Sequence, residues 1–581
     1  MALISKASLL MVPSTYEEGT LYNVLPSGNR APDSTDQNSG YDQTRADFTF
    51  DRGSNAAATR IGSDGLIKKY RENIFLYSQD FSQSNWQVLN ATKVSTNETD
   101  PNGGLTACNI TWAAGAGTKF LFQNVSSGNL LCLSMYVKSN GGGNKFRLFG
   151  DGATDFSQDF TATDEWQRFE FFFERGSGLG TGIASASDSS SADLLVAFAQ
   201  VETSMVATDY LDSGATTGKA GVLIDLPRIN YDANGENGAL LLEPSRQQLI
   251  QYSEYISGWT ASGLTISENQ TTSPEGVQNA AKLALPSGSA IKRIALGSMP
   301  TTAVARSYSF FVKSDDIAAI QLLHSGDLQG YARFDISSGV VGSKGSKTTS
   351  DIEDYGNGWY RCTANFDATN SFGSTIYLYI NDSGTGGYGG STSEQGDLFV
   401  WGGQYEAGSY ATSYIPNMGE SGGVTRAADS CNGGGSAESI NSTEGVLYAE
   451  ISALADDGTY RIFSINDGTT NERVYIQYTN ASNAIAVVVK NGGTTQANIS
   501  HSLTDETQNT KVAFRYKAND FAFYVNGSQI GTDTSGSTPV GLNNFSFDQG
   551  NGANPFYGNV KQVAVFNEAL SDSELATLTT L

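Results

Sequence analysis

The chain has 581 residues and a formal net charge of −25, from 60 acidic and 35 basic side chains. Nucleic acids and anionic membranes bind clustered Lys and Arg, so this charge excludes both as principal partners. Two histidines in the whole chain leave little room for His-based catalysis or zinc sites. With 39% hydrophobic residues and 65 glycines, the composition favours a large, turn-rich β-protein over a disordered chain.

The N-terminal residues 1–45 stand apart from the units that follow. An apolar run over 7–12 precedes a polar stretch over 26–44. The run is too short for a secretory signal and lacks its small-residue cleavage site. No stretch approaches the ~20 apolar residues of a membrane span, so no membrane insertion is expected. An isolated apolar run needs another surface to bury it. We therefore expect residues 1–45 to attach the chain to a larger particle, with a connector over 46–72.

An internal repeat organises the middle of the chain. The first copy covers 73–217 and the second covers 248–430, with a connector over 218–247 between them. Five matches in the same order predict two copies of one domain. The matches are 73–81 with 248–255, Trp86 with Trp259, 135–139 with 310–314, 166–169 with 359–362, and Gln200, Glu202, Ala207, Thr208 and Tyr210 with Gln404, Glu406, Ala411, Thr412 and Tyr414.

Each copy is patterned as antiparallel strands. Leu133, Met135 and Val137 alternate with polar or aromatic residues, and clusters of Gly, Ser, Asn and Asp separate such runs. The length of each copy predicts a two-sheet β-sandwich of the jelly-roll type. We expect the paired tryptophans (Trp86 with Trp259, Trp166 with Trp359) to fill equivalent core positions, with ligand stacking as the alternative.

Residues 431–581 form a different unit. Residues 521–525 alternate and end at Asn526-Gly527, which is a strong hairpin signal. A last strand over 558–566 precedes Ser571-Asp572-Ser573-Glu574, the start of a helix with a capping box. These motifs resemble the laminin-G-like or concanavalin A-like lectin sandwich. The resemblance implies a domain that binds glycans or proteins, although some members are glycoside hydrolases.

The first 430 residues carry a second resemblance. The head segment over 1–13, the runs over 45–53 and 58–67, and the start of the first copy over 73–81 are similar to tailed-phage structural proteins. In those proteins a short head segment precedes sandwiches that resemble carbohydrate-binding modules. The resemblance implies a head or tail fibre that displays glycan-binding domains.

Catalytic and metal-binding motifs lack the partners they need. Residues 419–423 fit the GxSxG nucleophile elbow, but they lie among turn residues in a connector. Residues 384–389 fit GxGxxG, but in a β-module without the strand–helix context of a dinucleotide site. His324 and His501 are far apart in sequence, and the four cysteines form no CxxC pair. We predict free thiols and no catalytic residue, metal or cofactor.

Sugar binding requires an exposed aromatic ring beside hydrogen-bonding groups. Trp112 and Tyr388 lack a partner in the other repeat copy, and Tyr388 lies in an inserted glycine-rich loop. They are the candidate carbohydrate-binding residues, with ordinary loop packing as the alternative.

The sequence thus predicts an all-β chain of antiparallel β-sandwiches that acts as a non-enzymatic phage virion fibre. We expect it to be made in the host cytoplasm, to join other virion proteins through its N-terminal segment and to bind host surface glycans. A homo-oligomer is expected, with a trimer as the usual fibre state. The alternative is a glycan-degrading enzyme with accessory binding modules, and a purely structural decoration protein is a third reading.

Overall fold

The computed structural model describes residues 3–15, 48–53, 57–95, 98–224 and 226–581. Nearly all of its regular structure is β, as the composition and the alternating patterns predict. In the described ranges one α-helix is present, Asp572–Thr579, and none is long and apolar enough to cross a membrane. The 3₁₀ turns are Leu3–Lys6, Pro13–Thr15, Asp151–Ala153 and Ile256–Gly258.

Module 1, residues 73–217, is a β-sandwich whose two layers share one long strand, Leu130–Gly150. One layer adds Gln87–Leu89, Phe120–Asn124, Gly180–Ser185, Asp155–Phe156 and Phe160–Thr161. The other adds Thr92–Ser95, Cys108–Trp112, Ala192–Glu202 and Gln167–Glu174.

Module 2, residues 248–430, has the same architecture with two separate six-stranded sheets. The first, here called the front sheet, runs Thr260–Ser262, Arg293–Leu296, Ile376–Asn381, Ala319–His324, Tyr331–Asp335 and Val340–Lys344. The second runs Thr265–Thr271, Ala280–Leu285, Gly396–Ala407, Arg306–Lys313, Tyr360–Phe366 and Thr348–Asp354.

The repeat is visible at the level of single hydrogen bonds. Gln200 Nε2 donates to Glu202 Oε1 at 2.6 Å, and Gln404 Nε2 donates to Glu406 Oε1 at 2.7 Å. Both glutamates accept a threonine backbone N–H at 2.8 Å, from Thr208 in one copy and Thr412 in the other. The two modules thus contain the same buried polar network at equivalent positions.

Three of the four paired tryptophans are core residues, as predicted. Trp86, Trp259 and Trp359 are buried, and the indole N–H groups of Trp86 and Trp259 donate to the equivalent carbonyls of Tyr77 and Tyr252. The prediction is wrong for Trp166, which is half-buried. Its indole still donates to a backbone carbonyl, that of Thr99, at 3.0 Å.

The C-terminal sandwich takes strands from four parts of the chain. One sheet holds Ile229–Asn230, Ala239–Leu242, Gly558–Phe566, Glu444–Ala453, Thr510–Lys517, Phe521–Val525 and Ser528–Asp533, and Leu9–Met11 pairs with Gly558–Phe566. The other holds Thr49–Asp51, Ser430–Gly434, Asn544–Ser546, Arg461–Asn466, Arg473–Tyr478, Ala484–Asn491 and Thr494–Ser502. The segments predicted as connectors therefore complete this domain.

The apolar N-terminal run is used inside the chain. Leu9 lies opposite Val565 and Met11 lies opposite Val563, and the side chains of Leu9 and Met11 are fully buried in the C-terminal core. The expectation that this run needs a surface outside the chain is therefore wrong, because Leu9 and Met11 are buried within the chain itself. The attachment of residues 1–45 to a particle stays a prediction. Residues 16–45 of the predicted attachment segment lie outside the described residues.

Two further small sheets join the modules. One consists of Gly218–Gly221, Ile67–Asn73 and Thr59–Ile61, and the other of Arg246–Gln248 and Val424–Arg426. Beside them, arginines and carboxylates from the connectors and from the end of module 2 form a buried charge cluster. Glu243 lies between two guanidinium groups, 2.7 Å from Arg228 Nη1 and 2.9 Å from Arg426 Nη1. Asp429 pairs with Arg228 and, at 3.5 Å, with Arg52.

The buried charges fix the junction because each has a partner of opposite sign. Burial alone would raise the pKa of the Glu243 carboxyl, but Arg426, Arg228 and hydrogen bonds from Ser413 lower it to about 2. Glu243 is therefore ionised at neutral pH, and removing it would leave uncompensated buried guanidinium charge.

Candidate functional site

Trp112 does not have the exposure that a sugar platform needs. Its side chain is 4% exposed and packs in the core of module 1, with the indole N–H donating to the Ser190 carbonyl at 3.2 Å. The prediction of Trp112 as a carbohydrate-binding residue is therefore wrong. The ring fills the core at the end of strand Cys108–Trp112.

Tyr388 lies on a glycine-rich loop that crosses the outer face of the front sheet. Its ring is half-buried, and its hydroxyl donates to the His324 carbonyl at 2.9 Å. Burial, with Tyr377 and Tyr379 nearby, raises the pKa of Tyr388 to about 12, so the hydroxyl stays protonated. Its predicted role in sugar binding stays a prediction, and its surroundings extend that prediction to further residues.

Alternation along one strand places two more tyrosines beside Tyr388. In Ile376–Asn381, the side chains of Ile376, Leu378 and Ile380 are buried in the core. Successive side chains of a strand point to opposite faces, so Tyr377 and Tyr379 lie on the outer face. Their ring centroids are 5.6 Å apart.

The register of the front sheet aligns these tyrosines in two rows across the strands. One row places Arg293 opposite Tyr379, Tyr379 opposite Gln321, and Gln321 opposite Arg333. The next row places Ala295 opposite Tyr377, Tyr377 opposite Leu323, and Leu323 opposite Tyr331. We call the resulting group of Arg293, Tyr331, Tyr377, Tyr379 and Tyr388 the tyrosine face.

Arg293 is stacked on this aromatic surface. Its guanidinium carbon lies 4.6 Å from the ring centroid of Tyr377 and 5.1 Å from that of Tyr379, and Nη1 donates to the Tyr379 hydroxyl. Cation–π stacking and this hydrogen bond hold the planar group in one orientation. Arg293 and Tyr377 are both half-buried, so each retains surface open to solvent.

The glycine-rich loop is fixed over the other end of the same rows. Arg333 donates to the carbonyls of Gly387 and Gly389 at 2.9 and 3.0 Å, and Gln321 donates to Gly387 and accepts from the Gly389 N–H. Tyr388 then meets Tyr331 edge to face, with centroids 6.2 Å apart. The loop thus forms one wall of the tyrosine face and leaves the Arg293 end open.

In module 1, the outer face of the sheet that corresponds to the front sheet carries different residues. The equivalent sheet aligns Phe122 with Gly182 and Phe149, and Phe120 with Ala184 and Arg147. Phenylalanines therefore replace the tyrosines, and this face has fewer groups that can form directional hydrogen bonds. The two repeats share a fold but have diverged on this surface.

The tyrosine face combines flat aromatic rings with fixed polar groups. A pyranose ring can contact the part of Tyr377 that Arg293 leaves open, while its hydroxyls bond to the guanidinium and to phenol groups. Hydroxyl-rich ligands need such directional partners, because an unpaired buried polar group is costly. This arrangement suits the recognition of a sugar. Among the described side chains that form the tyrosine face, none is a carboxylate or other group placed to cleave a bond.

The motifs set aside from the sequence are structural in the fold. Ser421 lies in a turn that leads into the strand Val424–Arg426. The four cysteines are buried free thiols, as predicted. Within the described ranges, no group of three His, Cys, Asp or Glu side chains could hold a metal ion.

The C-terminal domain matches a known family. Residues 441–576 match the model of the concanavalin A-like lectin/glucanases superfamily (Laminin_G_3). The match confirms the lectin-type sandwich expected for this part of the chain. No curated protein matches the chain.

Three solved structures show weak likeness to the chain. The leech intramolecular trans-sialidase is 22% identical over 26% of this chain and 26% of its own, with a TM-score of 0.23. The CBM22-1–CBM22-2 tandem of Paenibacillus barcinonensis Xyn10C is 12% identical over 61% of this chain and all of its own, also at 0.23. Domains LG4-5 of the mouse laminin alpha1 chain are 10% identical over 58% of this chain and 96% of their own, with a TM-score of 0.17. Likeness at these values identifies no function for this chain.

Sequence reasoning named Tyr388 as a candidate and did not name the residues around it. The alternation of Tyr377-Leu378-Tyr379-Ile380 was a signal that could have marked an aromatic outer face. Arg293 carries no such signal, because only the strand register brings it to Tyr377 and Tyr379.

Proposed function

We propose that this protein binds glycans through the tyrosine face of module 2. The observation that carries the proposal is the stacked pair of Tyr377 and Arg293, half-buried and fixed in place on the outer side of a rigid sheet. A preorganised site loses little conformational freedom when its ligand binds. The lectin-type family match of residues 441–576 supports a carbohydrate-related role for the chain as a whole.

A glycan array probed with the full chain tests the proposal. Tyr377→Ala should reduce binding about fivefold to thirtyfold, since stacking of a ring on an aromatic side chain contributes on the order of 1–2 kcal/mol. Phe122→Ala in module 1 is the matched control, because it removes an aromatic ring from the equivalent face of the other repeat. Binding that survives Tyr377→Ala unchanged would exclude the tyrosine face as the site.

We also propose that the protein is a structural, non-catalytic component of a phage virion, a head or tail fibre that adheres to the bacterial surface. The similarity of residues 1–13 and 45–81 to tailed-phage structural proteins supports this role. Oligomerisation, as in a trimer, would link weak sites and raise their effective concentration. Mass spectrometry of purified particles should detect the chain, and its absence from infectious particles would contradict the proposal.

A further inference from the structure

Arg293 is a fixed cation without a counter-ion among the described residues. Its described contacts are the rings of Tyr377 and Tyr379 and the Tyr379 hydroxyl. Among the residues that the structure describes, it forms no ion pair. Arg306 and Arg473 also stack on aromatic rings without an ion pair among the described residues, but both are buried, whereas Arg293 is half-buried and reaches solvent. Resting on the proposed function, we infer that the tyrosine face selects acidic sugars and that Arg293 binds their carboxylate.

Three acids of the loops and strand ends around the tyrosine face have other partners. Asp327 pairs with Lys347 at 2.8 Å, and Asp335 accepts the Ser337 hydroxyl at 2.6 Å. Asp382 accepts the backbone N–H of Ser393 at 2.8 Å. The two central rows of the face hold Arg293 and Arg333, and no acid occupies their described strand positions. The strand positions beside Arg293 therefore supply no acid that pairs with its guanidinium.

Module 1 shows the arrangement that would be expected of a purely structural arginine. Arg147 also stacks on an aromatic ring, with its guanidinium carbon 4.2 Å from the centroid of Phe156. Its Nε, however, lies 3.7 Å from Asp159 Oδ1 and donates to the Ser185 carbonyl at 3.1 Å. Arg147 is thus neutralised within its own module, whereas Arg293 keeps donors for an external anion.

The Arg293 guanidinium and the Tyr377 ring together favour a ligand that carries a carboxylate on a sugar ring. A guanidinium presents parallel N–H donors that match the two oxygens of a carboxylate, and these charge-assisted bonds are about twice as strong as neutral ones. Because the guanidinium covers one face of Tyr377, a sugar that contacts the part of this ring left open lies beside Arg293 and can place its carboxylate against the guanidinium. The ligand class is therefore a hexuronate or a sialate, present as part of a longer glycan.

The test compares acids with their neutral esters. Isothermal titration of the full chain uses tetragalacturonic acid and an α2,8-linked sialic acid oligomer, each beside its carboxyl methyl ester. The acid should bind at least tenfold more tightly than its ester. Arg293→Gln should lose about tenfold to a hundredfold in affinity for the acid and little for the ester. Arg293→Lys keeps the positive charge but loses the paired N–H donors of the guanidinium. Its affinity for the acid should lie between those of wild type and Arg293→Gln.

Matched variants separate failure of this inference from failure of the proposed function. Arg147→Gln removes a stacked arginine from module 1 and should leave affinity unchanged. If acid and ester bind equally, or if Arg293→Gln binds the acid as wild type does, the inference is overturned. In that case, loss of binding in Tyr377→Ala would still support the tyrosine face as a glycan site. Binding of neither probe, with wild-type unfolding midpoints for all variants, would overturn the inference as well.

Discussion

Replacement of Glu243 by glutamine should destabilise the junction between the modules. The carboxylate accepts hydrogen bonds from the Ser413 backbone and hydroxyl at 2.7 and 2.6 Å and contacts Arg228 and Arg426 below 3 Å. Glutamine keeps the shape but removes the charge that both guanidinium groups face. Breaking a buried ion pair from one side costs about 3–5 kcal/mol.

The depressed pKa of Glu243 gives a second estimate of how much its carboxylate contributes to the free energy of unfolding. A shift from 4.5 in the unfolded chain to about 2 in the folded protein corresponds to about 3 kcal/mol of stability. Because the folded pKa is depressed, this contribution is complete above about pH 4.5 and is lost as the pH falls towards 2. The difference between wild type and Glu243→Gln should therefore be constant at pH 5–7 and shrink below pH 4.5.

Equilibrium urea unfolding, followed by tryptophan fluorescence, measures this difference. Asp397→Asn is the control, because Asp397 pairs with Lys282 at 3.2 Å on the surface and should cost less than about 1 kcal/mol. An unfolding midpoint for Glu243→Gln equal to that of wild type at pH 7 would refute the reasoning. A difference that does not change down to pH 3 would refute the assignment of the pKa.

Three further predictions concern the folded state. Leu9→Ala should destabilise the C-terminal sandwich by about 2–5 kcal/mol in urea unfolding, since Leu9 is fully buried in its core; a wild-type midpoint would show that the N-terminal strand is dispensable. Gly527→Ala should cost about 1 kcal/mol, because Gly527 follows Asn526 in the hairpin turn with φ of +82°; an unchanged thermal midpoint would contradict a left-handed turn. Burial raises the pKa of Cys132 and Cys362, so both thiols should react with a disulfide reagent only after unfolding; rapid labelling of the native protein would contradict their burial.

Local patterns predicted the elements that depend on neighbours in sequence. The Asn526-Gly527 turn joins strands Phe521–Val525 and Ser528–Asp533 as expected. The capping box forms with the Ser571 backbone N–H donating to Glu574 Oε2 at 2.9 Å. The repeat was also predictable, because both copies preserve the residues of the same buried network.

Long-range pairing was not predictable from these patterns. Nothing in the run over 7–12 indicates that its partner strand lies more than 550 residues away, at Val563–Val565. For the same reason, the sequence did not reveal that Trp112 is buried or that Arg293 lies beside Tyr377 and Tyr379. Exposure of Trp112 and the neighbours of Arg293 depend on which strands lie side by side, and a single sequence does not specify that register.

The most direct test of the central claim is a structure of the full chain in complex with the tightest-binding glycan from the array. We predict that a sugar ring lies on Tyr377, within van der Waals contact of its ring and within hydrogen-bonding distance of Arg293. A glycan bound elsewhere, for example on the lectin-type domain over 441–576, with the tyrosine face empty, would contradict the account.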